Sequence, residues 1–303
     1  MSATLIAVIF ALALGHVAPG LAAAVRRHDG YGAWLRWLGA RLGATPGAWR
    51  GAFGVAAALL PPLLAVGLLQ YLLRSPLAGV FGLLFAMIVL FYAWGPRDLD
   101  ADVSAVVDAE DAEGRRAAAA RLGPVAAAGI GESAAMIEGV FTSALRRWFG
   151  VLFWFLAFGA VGAVLYRLAA LAAEGDYAEA LPEPARGSAR RLFALLNWPV
   201  SQAMTLSLAL VGNFDTVLGV WREHGGASLR LDQAYLGAAA RASVRCEIAE
   251  ETQEFIEEGA TPGNAWVQLG EMPELRDAMS LVWRILLLWL AIVALFVVAG
   301  WVS

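Results

Sequence analysis

The sequence predicts an all-α, polytopic membrane protein, on three observations. Of its 303 residues, 60% are hydrophobic, against roughly 45–50% in an ordinary soluble domain, and the mean hydropathy is +0.64. Uncharged runs fall at 1–25, 51–73, 75–96, 148–166, 192–214 and 285–303. A bilayer core of about 30 Å is crossed by about 20 apolar residues in a helix. No alternating pattern with hairpin signals is visible, so strands are not expected. The expectation is about six membrane-embedded helices in one membrane domain over 1–303, with the lipid bilayer as first partner.

The run at 1–25 contains no Lys or Arg, and the first basic residue is Arg26. A cleaved signal peptide begins with a basic stretch, so this run reads as a retained helix. His16 inside it is an ionisable residue in a span, and a neutral imidazole bonded to a neighbouring helix is the simpler account. The run 148–166 lies between Arg147 and Arg167 and reads as one crossing. In 192–214 the polar Asn197, Gln202 and Asn213, together with Pro199, interrupt the apolar pattern, so this segment is expected to tilt or enter partway. Asn197, Trp198 and Pro199 mark its start, and Asn213 and Asp215 its end.

Two polar blocks separate the membrane runs. In 97–147, "RDLDADVSAVVDAEDAEGRRAAAARLG" predicts two short helices broken near Gly114, with Asp98 capping the first. A further helix over about 132–147 should feed the fourth membrane run. In 221–284, Leu236, Ala240, Val244 and Ile248 recur every fourth residue, with Phe255 beyond them, as in an amphipathic helix. Gly259 closes that helix and Pro262 follows. "PELRDAMSLVWR" leads into the last run. Neither an internal repeat nor a low-complexity tract occurs.

All 22 basic residues are Arg. Segments 26–50, 97–147 and 221–284 carry 17 of them, against four in the links between (Arg74, Arg186, Arg190 and Arg191). Positive residues mark the cytoplasmic side. Both termini and the 174–191 link, with Glu174, Asp176, Glu179 and Glu183, are therefore expected on the periplasmic side of a bacterial inner membrane.

Absence of Lys excludes a Walker phosphate loop and a Schiff-base enzyme. His16, His28 and His224 are scattered, so no zinc helix and no other metal site is expected. Cys246 is a single thiol without a metal-spaced neighbour. A net charge of −4, with acids in the polar blocks, argues against a nucleic-acid face. Gly129 and Gly131 lack the preceding strand of a dinucleotide fingerprint. No cofactor is expected.

One polar stripe stands out. Glu138, Thr142 and Arg146 recur at spacing four just before the fourth apolar run. A carboxylate and a guanidinium held there would grip a polar head group, and an interfacial salt bridge is the plainer alternative. Arg147 stands next to Arg146. Arg97 and Asp98 begin the preceding block, with Tyr92 and Trp94 read as interfacial anchors.

"IEGVFTSALRRWFGVLFW", Ile137 to Trp154, resembles a segment of the CobD/CbiB cobalamin-biosynthesis membrane proteins. "RDLDADVSAVVDAEDAEGRRAAAARL", "GAVGAVLYRLAALAAEGD" and "ARRLFALLNWPVSQAMTLSLALVG" resemble further blocks, and the likeness covers about 90–222. Glu138 matches the family's first acid. The following Glu, Asn and Asp positions hold Thr142, Ser143 and Arg146, and the late P-N-A-G motif is missing. The chain looks more like the AmpE branch, which has an arginine where Arg146 stands and closes on "LFW". The resemblance implies an inner-membrane accessory or sensor protein in cell-wall recycling and β-lactamase induction, and the replacements at Thr142, Ser143 and Arg146 speak against an enzyme without deciding it. It implies a muropeptide or another anionic small molecule as ligand, at the cytoplasmic membrane boundary. Glu138, Thr142, Arg146, Arg147, Arg97, Asp98 and Asn197 are the expected ligand-binding residues. An amide-forming ligase and a metabolite transporter or flippase are the alternatives. The amphipathic helix 231–258 is the surface expected to take a protein partner.

Overall fold

The computed structural model describes residues 6–10, 14, 26, 28–42, 51–73, 79–95, 97–129, 133–228 and 231–299. Most of the run 1–25, including His16, lies outside them, as do Arg74, Ile130 and Gly131. In chain order the helices are α1 (Asp29–Leu42), α2 (Ala52–Leu72), α3 (Gly79–Ala93), α4 (Leu99–Val107), α5 (Ala112–Arg121), α6 (Pro124–Ala128) and α7 (Ser133–Ala144). After a π-helical turn at Leu145–Phe149 come α8 (Gly150–Phe158), α9 (Ala160–Ala173), α10 (Glu183–Val211), α11 (Phe214–Glu223), α12 (Ala234–Glu257), α13 (Pro262–Leu269) and α14 (Pro273–Val298). No strand occurs among the described residues.

Among the described residues, four helices are long and apolar enough to cross a membrane: Ala52–Leu72, Ser133–Phe158, Glu183–Val211 and Pro273–Val298. Gly79–Ala93 and Ala160–Ala173 are apolar but shorter. At 1.5 Å per residue, the 15 residues of α3 reach about 22 Å, less than the bilayer core. The chain forms two compact units. One holds Met1–Arg97, Arg146–Asn197 and Phe296–Ser303, and the other holds Asp98–Leu145 and Trp198–Leu295.

In the first unit the expected single crossing at 148–166 is broken. Gly159 has φ 67° and ψ −146°, a region essentially confined to glycine. The chain reverses there, and α8 and α9 pack as an antiparallel hairpin. Reversal strands backbone groups in an apolar setting, where each unsatisfied group costs several kcal/mol. Gln70 of α2 meets them. Its Nε2 donates to the Phe158 carbonyl (3.2 Å) and its Oε1 accepts from the Val161 N–H (3.1 Å). Two glycines allow the arms to close. A Cβ on Gly162 would stand 1.9 Å from the Trp154 carbonyl oxygen, and one on Gly150 would stand 2.0 Å from the Tyr166 ring.

The hairpin changes the expected topology. Arg146, before α8, pairs with Glu174, after α9, at 2.7 Å. The start of the 174–191 link therefore lies at the same end of this unit as Arg146. It cannot face the opposite side of a membrane, as a full crossing at 148–166 would require. The Gly95 N–H donates to the Arg147 carbonyl (3.1 Å) and Tyr177 donates to Asp29 (2.9 Å). These bonds bring the start of α1 and the end of α3 to that same polar end.

In the second unit, α7 packs on α12, and α11 on α12. The stripe of Leu236, Ala240, Val244 and Ile248 is buried as expected. Asp98 caps α4, accepting from the Asp100 N–H (3.1 Å). The break between α4 and α5 falls at 108–111, not near Gly114. Asp111 caps α5 by accepting the Gly114 N–H (2.6 Å), which puts Gly114 inside the helix. Nor does a helix begin at Asn197. α10 runs unbroken from Glu183 through Pro199, and Asn213 instead caps α11 through the Thr216 N–H (3.0 Å).

Two outcomes are expected. With Cys246 replaced, cysteines at the exposed Asp176 and Arg97 label from the same side of the membrane, and opposite-side labelling would disprove the hairpin. Gly159→Ala loses about 1–3 kcal/mol of stability, measured by thermal unfolding in detergent.

Candidate functional site

The seven residues expected to form a ligand site divide between the two units. In the second unit, Glu138 pairs with Arg241 of α12, lying across Gly237, where an added Cβ would come within 2.8 Å of the Glu138 Cδ. Thr142 is half-buried, and Asp98 serves as the cap of α4. In the first unit, Arg146 pairs with Glu174 and lies 5.9 Å from the Phe193 ring centroid. Arg147 is half-buried and Arg97 exposed. Asn197 is buried and accepts the Tyr166 hydroxyl at 2.6 Å.

The expected partnership of Glu138 with Arg146 is therefore not made, because each has another partner. The physical reason is the π-helical turn at Leu145–Phe149. It contains Arg146 and upsets the 3.6-residue register on which the spacing-four stripe depended.

A different constellation forms at the polar end of the first unit, around the C-terminus of α3. The last carbonyls of a helix have no partners within it and carry its negative dipole end. Arg26 Nε donates to the Phe91 carbonyl (3.1 Å) and its Nη1 to that of Gly95 (2.8 Å). Its guanidinium also covers the Phe91 ring at 4.6 Å. Arg167, from α9, donates Nε to the Ala93 carbonyl (2.6 Å). Arg26 and Arg167 are 5% and 7% exposed. Arg147 also lies within electrostatic range of Arg167, so three arginines from 26, 147 and 167 converge here.

His28 completes the cluster. It is 4% exposed and packed against the Tyr92 ring at 4.7 Å. Burial, and next the Arg167 charge, push its pKa down to about 4. The imidazole is therefore neutral at pH 7.

Three buried polar atoms of this unit find no partner among the described residues: Arg167 Nη2 and His28 Nε2 in the cluster, and Tyr31 Oη one helical turn after His28. Tyr31 is 8% exposed. Buried polar groups are normally hydrogen-bonded, and an orphan costs about 1–3 kcal/mol. Among the described residues Arg167 has no carboxylate partner. A guanidinium and a hydroxyl, in a unit that holds two further arginines near Arg167, suit an oxyanion.

The sequence held one signal for this site. Arg167 sits in the apolar helix Ala160–Ala173, and an intramembrane charge marks a functional site by default. Read as the end of a helix over 148–166, it lost that significance. Nothing local links it to Arg26 or His28.

No family model, curated protein or solved structure matches this chain.

His28 sets a pH dependence. Its folded pKa lies below the unfolded value of about 6.5, so the unfolded state binds more protons between the two. The stability contributed by His28 is complete above about pH 6.5 and falls as pH drops toward 4. Thermal unfolding in detergent between pH 7.5 and about 4.5 should show a steeper loss for the wild type than for His28→Asn. Parallel curves would contradict this.

Proposed function

We propose that this protein is an inner-membrane accessory or sensor protein that binds an anionic, phosphorylated or carboxylated ligand at the polar end of its first unit. The observation that carries this reading is the set of buried, unpartnered polar atoms, Arg167 Nη2, His28 Nε2 and Tyr31 Oη, with Arg26 and Arg147 near Arg167. The residues first expected to bind are less suited. Glu138 is engaged by Arg241 and Arg146 by Glu174, so each would have to give up an ion pair to hold a ligand.

The place of this binding in cell-wall recycling and β-lactamase induction rests on the resemblance of Ile137–Trp154 and its neighbouring blocks to the AmpE branch of the CobD/CbiB proteins. Thr142, Ser143 and Arg146 stand where that family's ligases carry polar and acidic residues, which favours a binding role over amide synthesis. Loss of inducible β-lactamase control on deleting the gene tests that assignment.

The binding site itself is tested with glycerol 3-phosphate on the purified protein. A ligand at about 100 times its Kd stabilises by about 2.7 kcal/mol. The wild type and Arg146→Ala should both be stabilised, and Arg167→Gln should not. Stabilisation kept by Arg167→Gln and lost by Arg146→Ala would move the site to the Arg146–Glu174 pair.

A further inference from the structure

The donors in the first unit stand beside a cavity of about 500 Å³, within the ~300–1,000 Å³ range of small-molecule sites. Its walls include Tyr31, Trp34, Pro62, Val66, Ile88 and Tyr92, so it is almost wholly apolar. Three of its lining residues adjoin residues of the cluster in the chain or by ring packing. Tyr31 lines the cavity and carries the unpartnered hydroxyl. Tyr92 lines it and packs on His28. Leu168 lines it and follows Arg167 in the chain.

The cavity is also open at the right place for a lipid. Val66 and Ile88 belong to the apolar helices Ala52–Leu72 and Gly79–Ala93. Ile88 is 66% exposed and stands at the rim. Pro61 and Pro62 lie inside α2. Neither has an N–H to donate, and their rings interrupt regular helix packing on this wall. Charge complementarity selects the head group: Tyr92 joins the cavity to His28 and the arginines beside it, and the rest of the wall offers hydrocarbon.

We propose that the cavity and the Arg167, His28 and Tyr31 polar groups form one site for a membrane lipid with a phosphate head group, its chain in the cavity and its phosphate oxygens on the Arg167 guanidinium and the Tyr31 hydroxyl. This rests on the anion-binding reading above and extends it by naming the ligand class. Burying a chain gains roughly 0.8 kcal/mol per CH₂, so the lipid should bind much more tightly than its head group alone. A soluble phosphorylated metabolite would gain nothing from the cavity.

The test uses the full-length protein, delipidated in a neutral detergent, with binding read by native mass spectrometry. The probes are dioleoyl phosphatidic acid, dioleoyl phosphatidylcholine and glycerol 3-phosphate. The wild type should bind one phosphatidic acid at least about tenfold more tightly than either other probe, a gap of about 1.4 kcal/mol. Val66→Trp and Ile88→Trp, which fill the cavity from different walls, should weaken phosphatidic acid by about tenfold and leave glycerol 3-phosphate unchanged. Arg167→Gln should weaken both. Tyr31→Phe should melt no lower than wild type without lipid, because its hydroxyl has no partner to lose, and should bind phosphatidic acid more weakly.

Equal binding of the two lipids, or tryptophan variants that bind phosphatidic acid as the wild type does, would overturn the lipid proposal. If glycerol 3-phosphate still bound through Arg167, the anion site would stand as one for a soluble ligand. If no probe bound through Arg167, both readings would fall.

Discussion

Backbone hydrogen bonding without water is the constraint on which the first unit depends. Apolar helices must end and turn within a region that offers no solvent to the groups they strand. Gln70 meets this need where the chain reverses at Gly159, giving one bond and taking another across α2. Arg26 and Arg167 meet it at the end of α3, where three carbonyls would otherwise face a buried environment. Long polar side chains from distant segments thus substitute for water at each break. The apolar runs can then fold back on themselves and need not all cross.

That solution has an electrostatic consequence. Capping carbonyls with arginines stabilises the helix end but draws positive charge into a buried corner, where like charges repel and desolvation is costly. The carbonyl dipoles offset part of this through one edge of each guanidinium, Arg167 using only its Nε for the bond to Ala93. The outer edge of Arg167, with His28 and Tyr31, remains turned to no described partner. The device that closes the helix thus supplies a donor of the proposed binding site, and the Pro61–Pro62 wall lines the apolar cavity assigned to it.

The two charged residues most conspicuous before the fourth apolar run serve a different purpose. Glu138–Arg241 fastens α7 to α12, and Arg146–Glu174 ties together the two ends of the α8–α9 hairpin. The second pair is half-exposed and is worth about 0.2–1 kcal/mol, so it sets geometry more than stability. Both are local fasteners within their own units.

What the sequence alone determined is what local pattern encodes. Apolar run length made the protein helical and membrane-compatible. The four-residue recurrence from Leu236 to Ile248 marked the buried face of α12. Asp98 and Gly259 marked helix ends by cap chemistry and positive φ. Tertiary structure alone decided the rest. Gly150, Gly159 and Gly162 look alike in the sequence. Only the packing of α2, α8 and α9 makes Gly159 the reversal and the other two sites of close approach. Partner choice was hidden for the same reason. Glu138 and Arg241 are 103 positions apart, and Arg26 and Gly95 are 69 apart. A charge eight residues away on one helix is legible from periodicity only while the helix keeps its register, and the π-helical turn at Leu145–Phe149 removed it. Helices are written in short-range spacing, whereas sites are built from whichever side chains the fold brings to unsatisfied backbone.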